Sequence, residues 1–150
     1  MVEMNGSSKQ VMNNQPTADL EKVVRTFWEA QEKGDRAAAR EVLSEELVWR
    51  VAGDHAAVAR TYTGVDSFFD DLIGTLGKTF VPGSVRMQLR ALYTDEGKST
   101  VISHVHETAQ ARNGKKFDVE IITLMRIEDG IISTCEEFMD LHEVLRVFGG

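Results

Sequence analysis

Apolar positions change their spacing near residue 85, and that change divides the chain into a helical half and a stranded half. Leu20, Val23, Val24, Phe27 and Trp28 recur at three- and four-residue intervals, which predicts one face of an α-helix. Thr17 is placed to cap it, Asp19 and Glu21 suit its electropositive start, and Lys33-Gly34 ends it. Asp35 caps a short second helix, RAAAREVL, whose Ala38, Val42 and Leu43 close over the first as an αα-hairpin. LVWRV at 47–51 alternates and runs into Gly53-Asp54-His55, so it reads as a strand followed by an irregular loop. Phe68, Phe69, Leu72, Ile73 and Leu76 make the apolar face of a third helix, stopped near Gly77 and Pro82-Gly83.

From Val85 the period is two. VRMQLRALY, STVISHVHETAQAR, KKFDVEIITLMRIE and IISTCEEFMD are separated by Asp95-Glu96-Gly97, Asn113-Gly114 and Asp129-Gly130, which predicts a four-stranded antiparallel meander. Leu141, Val144, Leu145 and Phe148 predict a short closing helix or packed tail. Residues 1–16 are rich in Asn, Ser, Gln and Gly with no sustained period and read as a flexible leader. Residues 17–150 read as a single α+β domain.

Turn chemistry fixes which side chains share a face, because a one-residue slip inverts a strand. Asn113-Gly114 favours a two-residue hairpin loop with Arg112 opposite Lys115. That register pairs His106 with Ile121, His104 with Thr123 and Ile102 with Met125, on one face with Val119 and Phe117. The other face then carries Val101, Ser103 and Val105 beside Ile122 and Leu124, and a sheet apolar on both faces needs covering on both. The helices cover one side, so a homodimer is expected through the Val101, Val105, Ile122 and Leu124 side. At the last turn a three-residue loop, Glu128-Asp129-Gly130, pairs Ile121 with Glu137 and turns Glu137 and Met139 inward. A two-residue loop would turn Glu136 and Phe138 inward instead.

Composition narrows the range of partners. With 17 basic against 24 acidic residues the net charge is −7, which disfavours nucleic acid and anionic lipid. The 150 residues contain one cysteine, Cys135, so an intrachain disulfide and a cysteine-based zinc cluster are excluded and a reducing cytoplasm is the expected location. No run approaches the ~18 apolar residues of a membrane span.

VVRTFWEAQEKGDRAAAREVLSEELVWRVAG, TYTGVDSFFDDL and MRIEDGIISTCEEFMDLHEVLRVFG resemble the nuclear transport factor 2-like superfamily, within its SnoaL-like group of polyketide cyclases, ketosteroid isomerases and limonene epoxide hydrolases. The resemblance covers residues 18–150. It implies a cone-shaped fold, a curved antiparallel sheet wrapped around an N-terminal helical layer with a central pocket, and it supports the register in which Glu137 points inward. The catalytic sets of these relatives do not carry over. Val51 stands where ketosteroid isomerases keep their general-base aspartate, and Phe27 and Thr123 stand in place of their oxyanion tyrosine and its partner acid. His104, His106 and Glu137 stand where limonene epoxide hydrolases keep an Arg-x-Asp pair and a second aspartate.

The residues themselves point to His106 and Glu137 as an acid–base pair around one apolar cavity, with His104 beside them. A structural His–Glu hydrogen bond is the plainer account of the same pair. His104, His106 and Glu137 also have the composition of a three-ligand metal set, although histidines in a strand are commoner as ordinary polar residues and no metal is expected. Trp49, Val51, Phe27, Trp28, Thr123, Ile102, Phe117, Ile121, Met125 and Met139 are expected to line the cavity, with Tyr62, Asp54 and His55 at its mouth. Asp140 is expected to cap the closing tail or to hold the strand end, and Glu107 and Glu120 to sit on the opposite face. The expected activity is therefore isomerase, cyclase or epoxide hydrolase chemistry, without cofactor, on a small apolar or polycyclic molecule. A noncatalytic ligand-binding or dimerisation module is the alternative.

Overall fold

A computed structural model describes residues 15–54 and 56–149. The leader, up to residue 14, and His55 lie outside the described residues. Helix α1 (Thr17–Lys33) leads into α2 (Arg36–Glu41), β1 (Leu43–Val51) and β2 (Thr61–Thr63). Helix α3 follows in three segments: an α-helical start (Val65–Ser67), a π-helical middle (Phe68–Ile73) and an α-helical end (Gly74–Thr79). The meander is β3 (Arg86–Asp95), β4 (Thr100–Gln110), β5 (Lys116–Glu128) and β6 (Ile131–Met139), closed by α4 (Leu141–Phe148). This is the α+β class that the two spacings predict.

The six strands form one curved, unclosed sheet in the order β2-β1-β6-β5-β4-β3. Neighbours run antiparallel except β1, which lies parallel to β6 and places Trp49 beside Cys135 and Val51 beside Glu137. Helix α1 buries Leu20, Val24, Phe27, Trp28 and Ala30 against the concave face. Phe27, Trp49 and Phe68 stack behind it, with Trp49 and Phe68 centroids 4.6 Å apart. Phe80, Phe117 and Phe148 close the far end at 5.2–5.5 Å. Such aromatic contacts add to the area they remove from water and give the core a fixed shape.

Two caps follow the sequence and one departs from it. Asp35 accepts from Ala38 N and Asp140 from His142 N, each holding a helix start. Thr17, expected as the cap of α1, is instead its first helical residue after Pro16, and its amide and hydroxyl donate to Glu96.

The Asn113-Gly114 hairpin is one residue longer than expected. Arg112, Asn113 and Gly114 form a three-residue loop, with Ala111 N donating to Lys115 O and Gly114 N to Ala111 O. A two-residue type I′ loop would need positive φ at both Asn113 and Gly114, but only Gly114 has it, at 90°. Asn113 is committed elsewhere: its Oδ1 accepts from Lys115 N and its Nδ2 donates to Val147 O. His106 therefore pairs with Glu120, His104 with Ile122 and Ile102 with Leu124, and every side chain of β4 is inverted relative to the expectation. Val101 and Val105 face the core and are fully buried, while Ile122 and Leu124 face outward, so the four residues expected to form a dimer face do not share one.

At the last turn Asp129 and Gly130 both take positive φ, 53° and 77°, and form the two-residue loop. Ser133 then bulges between Ile132 and Thr134, shifting the register by one. The bulge restores the parity that a three-residue loop would have given, so Glu137, opposite Thr123 rather than Ile121, points inward and Glu136 outward.

Candidate functional site

The concave face carries two carboxyl groups into the protein. Glu137 on β6 is 7% exposed, and its Oε1 accepts a hydrogen bond from Trp49 Nε1 at 2.8 Å. Glu107 on β4 is 5% exposed and has no hydrogen-bond or ion-pair partner among the described residues. The strand between them, β5, contributes Ile121 and Phe117 to the same wall.

An inner cavity of about 40 Å³ lies among these side chains and is bounded by Trp28, Trp49, Val51, Ile121, Met139, Glu107 and Glu137. The π-helical turn of α3 and the helical turn after it supply Phe68, Leu72, Ile73 and Leu76 to its other wall. A π turn adds a residue to each turn and changes which side chains face inward, and such turns recur at functional sites. An outer cavity of about 320 Å³ adjoins it, lined by Arg36, Phe80, Val81, Pro82, Val85 and neighbours. Gln31, Ile73, Leu76, Met87 and Glu107 line both, so Glu107 stands where the two spaces meet and Glu137 lies only in the inner one.

Burial changes the acid–base character of both groups. Removing a carboxylate from water disfavours its charged form, and burial lifts Glu137 to about 7 although the Trp49 hydrogen bond pulls the other way. Burial, reinforced by the charge of Glu137, lifts Glu107 to about 8. Glu137 has a donor that stabilises its anion and Glu107 has none, so of the two Glu137 is the one more readily ionised and Glu107 the one held more strongly as the neutral acid. Cys135 is buried below them, and burial pushes its thiol well above the ordinary range, which keeps it inert.

Both expected histidines are elsewhere. His104 and His106 lie on the convex face, His104 Nε2 at 2.6 Å from Glu120 Oε1 and His106 Nε2 at 2.7 Å from Asp118 Oδ1. With the histidines across the sheet from Glu137 the three-residue metal set cannot assemble, and among the described residues no group of three or more His, Cys, Asp or Glu is disposed to hold a metal. Ile102 faces outward with them. Trp49, Val51, Ile121 and Met139 line the inner cavity, as do Trp28 and Phe117. Phe27, Thr123 and Met125 are fully buried in the core behind it, Thr123 in a hydroxyl pair with Ser103, which also receives Trp28 Nε1. Tyr62, expected at the mouth, is 1% exposed on β2, and its hydroxyl donates to Val58 O. Asp54 lies in the loop after β1 and lines neither cavity.

Glu107 is the buried acid that sequence reasoning missed, because it placed the whole of β4 on the wrong face. A signal for it exists: Val101, Ser103, Val105 and Ala109 are small or apolar, whereas the even positions from Thr100 to Gln110 are mostly polar. That alternation puts Glu107 inside, and the Asn-Gly rule overrode it.

A family model described as the SnoaL-like domain matches residues 24–134. No curated protein matches the sequence. Among solved structures, Bal32a from a soil-derived mobile gene cassette superposes with a TM-score of 0.78 at 22% identity, covering 87% of this chain and 97% of that one. A candidate SnoaL-like polyketide cyclase from Jannaschia sp. CCS1 gives 0.71 at 19% identity over 89% and 93%. TerC, co-crystallised with polyporic acid, gives 0.75 at 10% identity over 88% and 99%. At these identities the likeness is one of fold. Among the described residues no helix is long and apolar enough to cross a membrane.

Proposed function

Because the chain belongs to the SnoaL-like domain family and turns two buried carboxyl groups into adjoining apolar cavities, we propose that it is an acid–base enzyme acting on a small, largely apolar carbonyl compound. The observation that carries this reading is the asymmetric pair: Glu137 held by an indole N–H and Glu107 held by nothing, both near neutrality. Carboxyl groups whose surroundings push them to different protonation states divide the roles of base and acid between them.

In the proposed reaction the Glu137 carboxylate removes a proton from carbon next to the carbonyl. The neutral Glu107 hydrogen-bonds the carbonyl oxygen and protonates it as negative charge develops, giving an enol. Where the enol is conjugated, Glu137 returns its proton to the far carbon of the dienol while the enol O–H goes back to Glu107, which completes an isomerisation; where the enol carbon attacks a second carbonyl, the enol O–H goes back to Glu107 and Glu137 protonates the new alkoxide, which completes a cyclisation. Side chains alone supply this chemistry. The inner cavity, about 40 Å³, has room for a group of water size, so the body of the substrate sits in the outer space of about 320 Å³.

Deuterium exchange tests the reading without knowledge of the natural substrate. The bicyclic ketone 2-tetralone in D₂O should take up deuterium next to its carbonyl faster with the protein than in buffer, read by mass spectrometry. Glu137→Gln should slow the protein-dependent part by about 10²–10³-fold. Unchanged exchange in both Glu137→Gln and Glu107→Gln would defeat the mechanism. The size difference between the cavities gives a second reading, in which the outer cavity holds a ligand and no reaction follows. Binding of the ketone without exchange would favour it.

A further inference from the structure

We propose that the outer cavity selects amphiphilic acids, with the Arg36 guanidinium holding a carboxylate at the mouth while the apolar body reaches inward toward Glu107. This inference rests on the outer cavity being the ligand site of the preceding reading, and it concerns affinity rather than turnover.

Arg36 is the one lysine or arginine among the residues that line the two cavities. Its guanidinium is held in place: Nη2 donates to Phe69 O at 3.0 Å, and the group lies over the Phe69 ring, 5.2 Å from its centroid. Both partners fix its direction and neither cancels its charge, because one is a neutral carbonyl and the other a ring face. Arg36 makes no ion pair among the described residues, whereas Arg25, Arg40, Arg50, Arg60, Arg90, Arg126 and Arg146 each pair with a carboxylate. An oriented cation with unused N–H donors at the rim of an apolar cavity matches the planar, two-oxygen geometry of a carboxylate.

The rest of the cavity sets the shape of the molecule that reaches it. Phe80, Val81, Val85 and Met87 offer no polar partner to a ligand body, and Gln31 lines both spaces as a neutral amide. The inner pole is Glu107, which receives a carbonyl while protonated and repels a second carboxylate once ionised. The two ends thus differ: an anion is favoured outside and disfavoured inside. A monocarboxylate with a ring or chain body and a carbonyl at its far end satisfies both, and about 320 Å³ lies within the usual range of small-molecule sites.

The test uses two probes of equal shape, naphthalene-2-carboxylate and naphthalene-2-carboxamide. Binding is followed by calorimetry and by the fluorescence of Trp28 and Trp49, the two tryptophans of the chain, both of which line the inner cavity. The protein should bind the carboxylate about tenfold more tightly than the carboxamide in dilute buffer, and the preference should shrink as salt is added. Arg36→Gln should bring the two affinities together, and Arg36→Lys should keep part of the difference, with circular dichroism confirming that both variants are folded. Equal affinity for the two probes in the unmodified protein overturns the inference, as does a preference that survives Arg36→Gln or failure of both probes to bind. Unchanged tetralone exchange in the glutamate variants bears only on the preceding reading, so the two can fail separately.

Discussion

The two faces of the sheet use the same residue types for opposite purposes. On the convex face Glu120 meets His104 and Arg90, and Glu136 meets Arg50, all in contact with water. The His104 hydrogen bond and, less strongly, Arg90 hold Glu120 below the ordinary carboxylate range. On the concave face Glu137 and Glu107 have no cation among the described residues, and burial holds both well above it. Glu136 and Glu137 are consecutive in the chain, as are His106 and Glu107. Side-chain alternation along a strand therefore decides whether a carboxylate solvates a surface or becomes a group that exchanges protons near neutral pH.

The largest expected effect is on rate. Glu137→Gln should lower any protein-dependent proton exchange by about 10²–10³-fold, whereas Glu136→Gln, one residue away on the other face, should leave it within about twofold.

Next in size is the dependence of stability on pH. A carboxyl group raised from 4.5 to about 7 or 8 binds more protons folded than unfolded across that interval. Its contribution is complete below about 4.5 and is lost as pH rises through the folded value, so stability falls with rising pH, the reverse of the usual paired carboxylate. Between pH 5 and pH 9 the protein should lose roughly 3 kcal/mol or more, seen as a falling melting temperature. Glu107→Gln should flatten the fall and Glu120→Gln should not.

A smaller effect separates the two buried groups. Trp49→Phe removes the one donor that favours the Glu137 anion, so the acidic limb of the exchange rate should move to higher pH, by up to about one unit, with the alkaline limb unmoved. The smallest effect is expected from His106→Ala and His104→Ala. Their exposed pairs with Asp118 and Glu120 are screened by solvent and contribute little, and neither substitution should alter exchange beyond about twofold.

How much of this was legible in the sequence differs by element. The helices and the meander follow from apolar spacing, and Glu137 faces inward as that reading held, although through a two-residue loop with a bulge at Ser133 rather than a three-residue loop. The site was half legible. Asn113-Gly114 is a strong hairpin signal, yet the closing helix takes Asn113 Nδ2 through the Val147 carbonyl. A contact 34 residues away thus accompanies the loop that inverts β4. No local rule contains such a contact. The parallel pairing of β1 with β6 and the burial of Tyr62 on β2 are tertiary in the same sense, since nothing within LVWRV or TYT specifies a neighbour.

That parallel pairing has a consequence in time. Trp49 and Glu137 are 88 positions apart, whereas each turn of the meander joins strands that follow one another directly. Contacts between distant segments carry the larger loop-closure entropy and form more slowly, so the β3–β6 meander is expected to assemble ahead of the docking of β1, an order that φ-values at Val105 above those at Trp49 would bear out. Until β1 arrives, Glu137 lacks both its indole donor and the Trp49 and Val51 wall, and so part of the burial that raises it. The shifted acidity should thus be among the last properties the chain acquires as it folds and among the first it loses as β1 detaches.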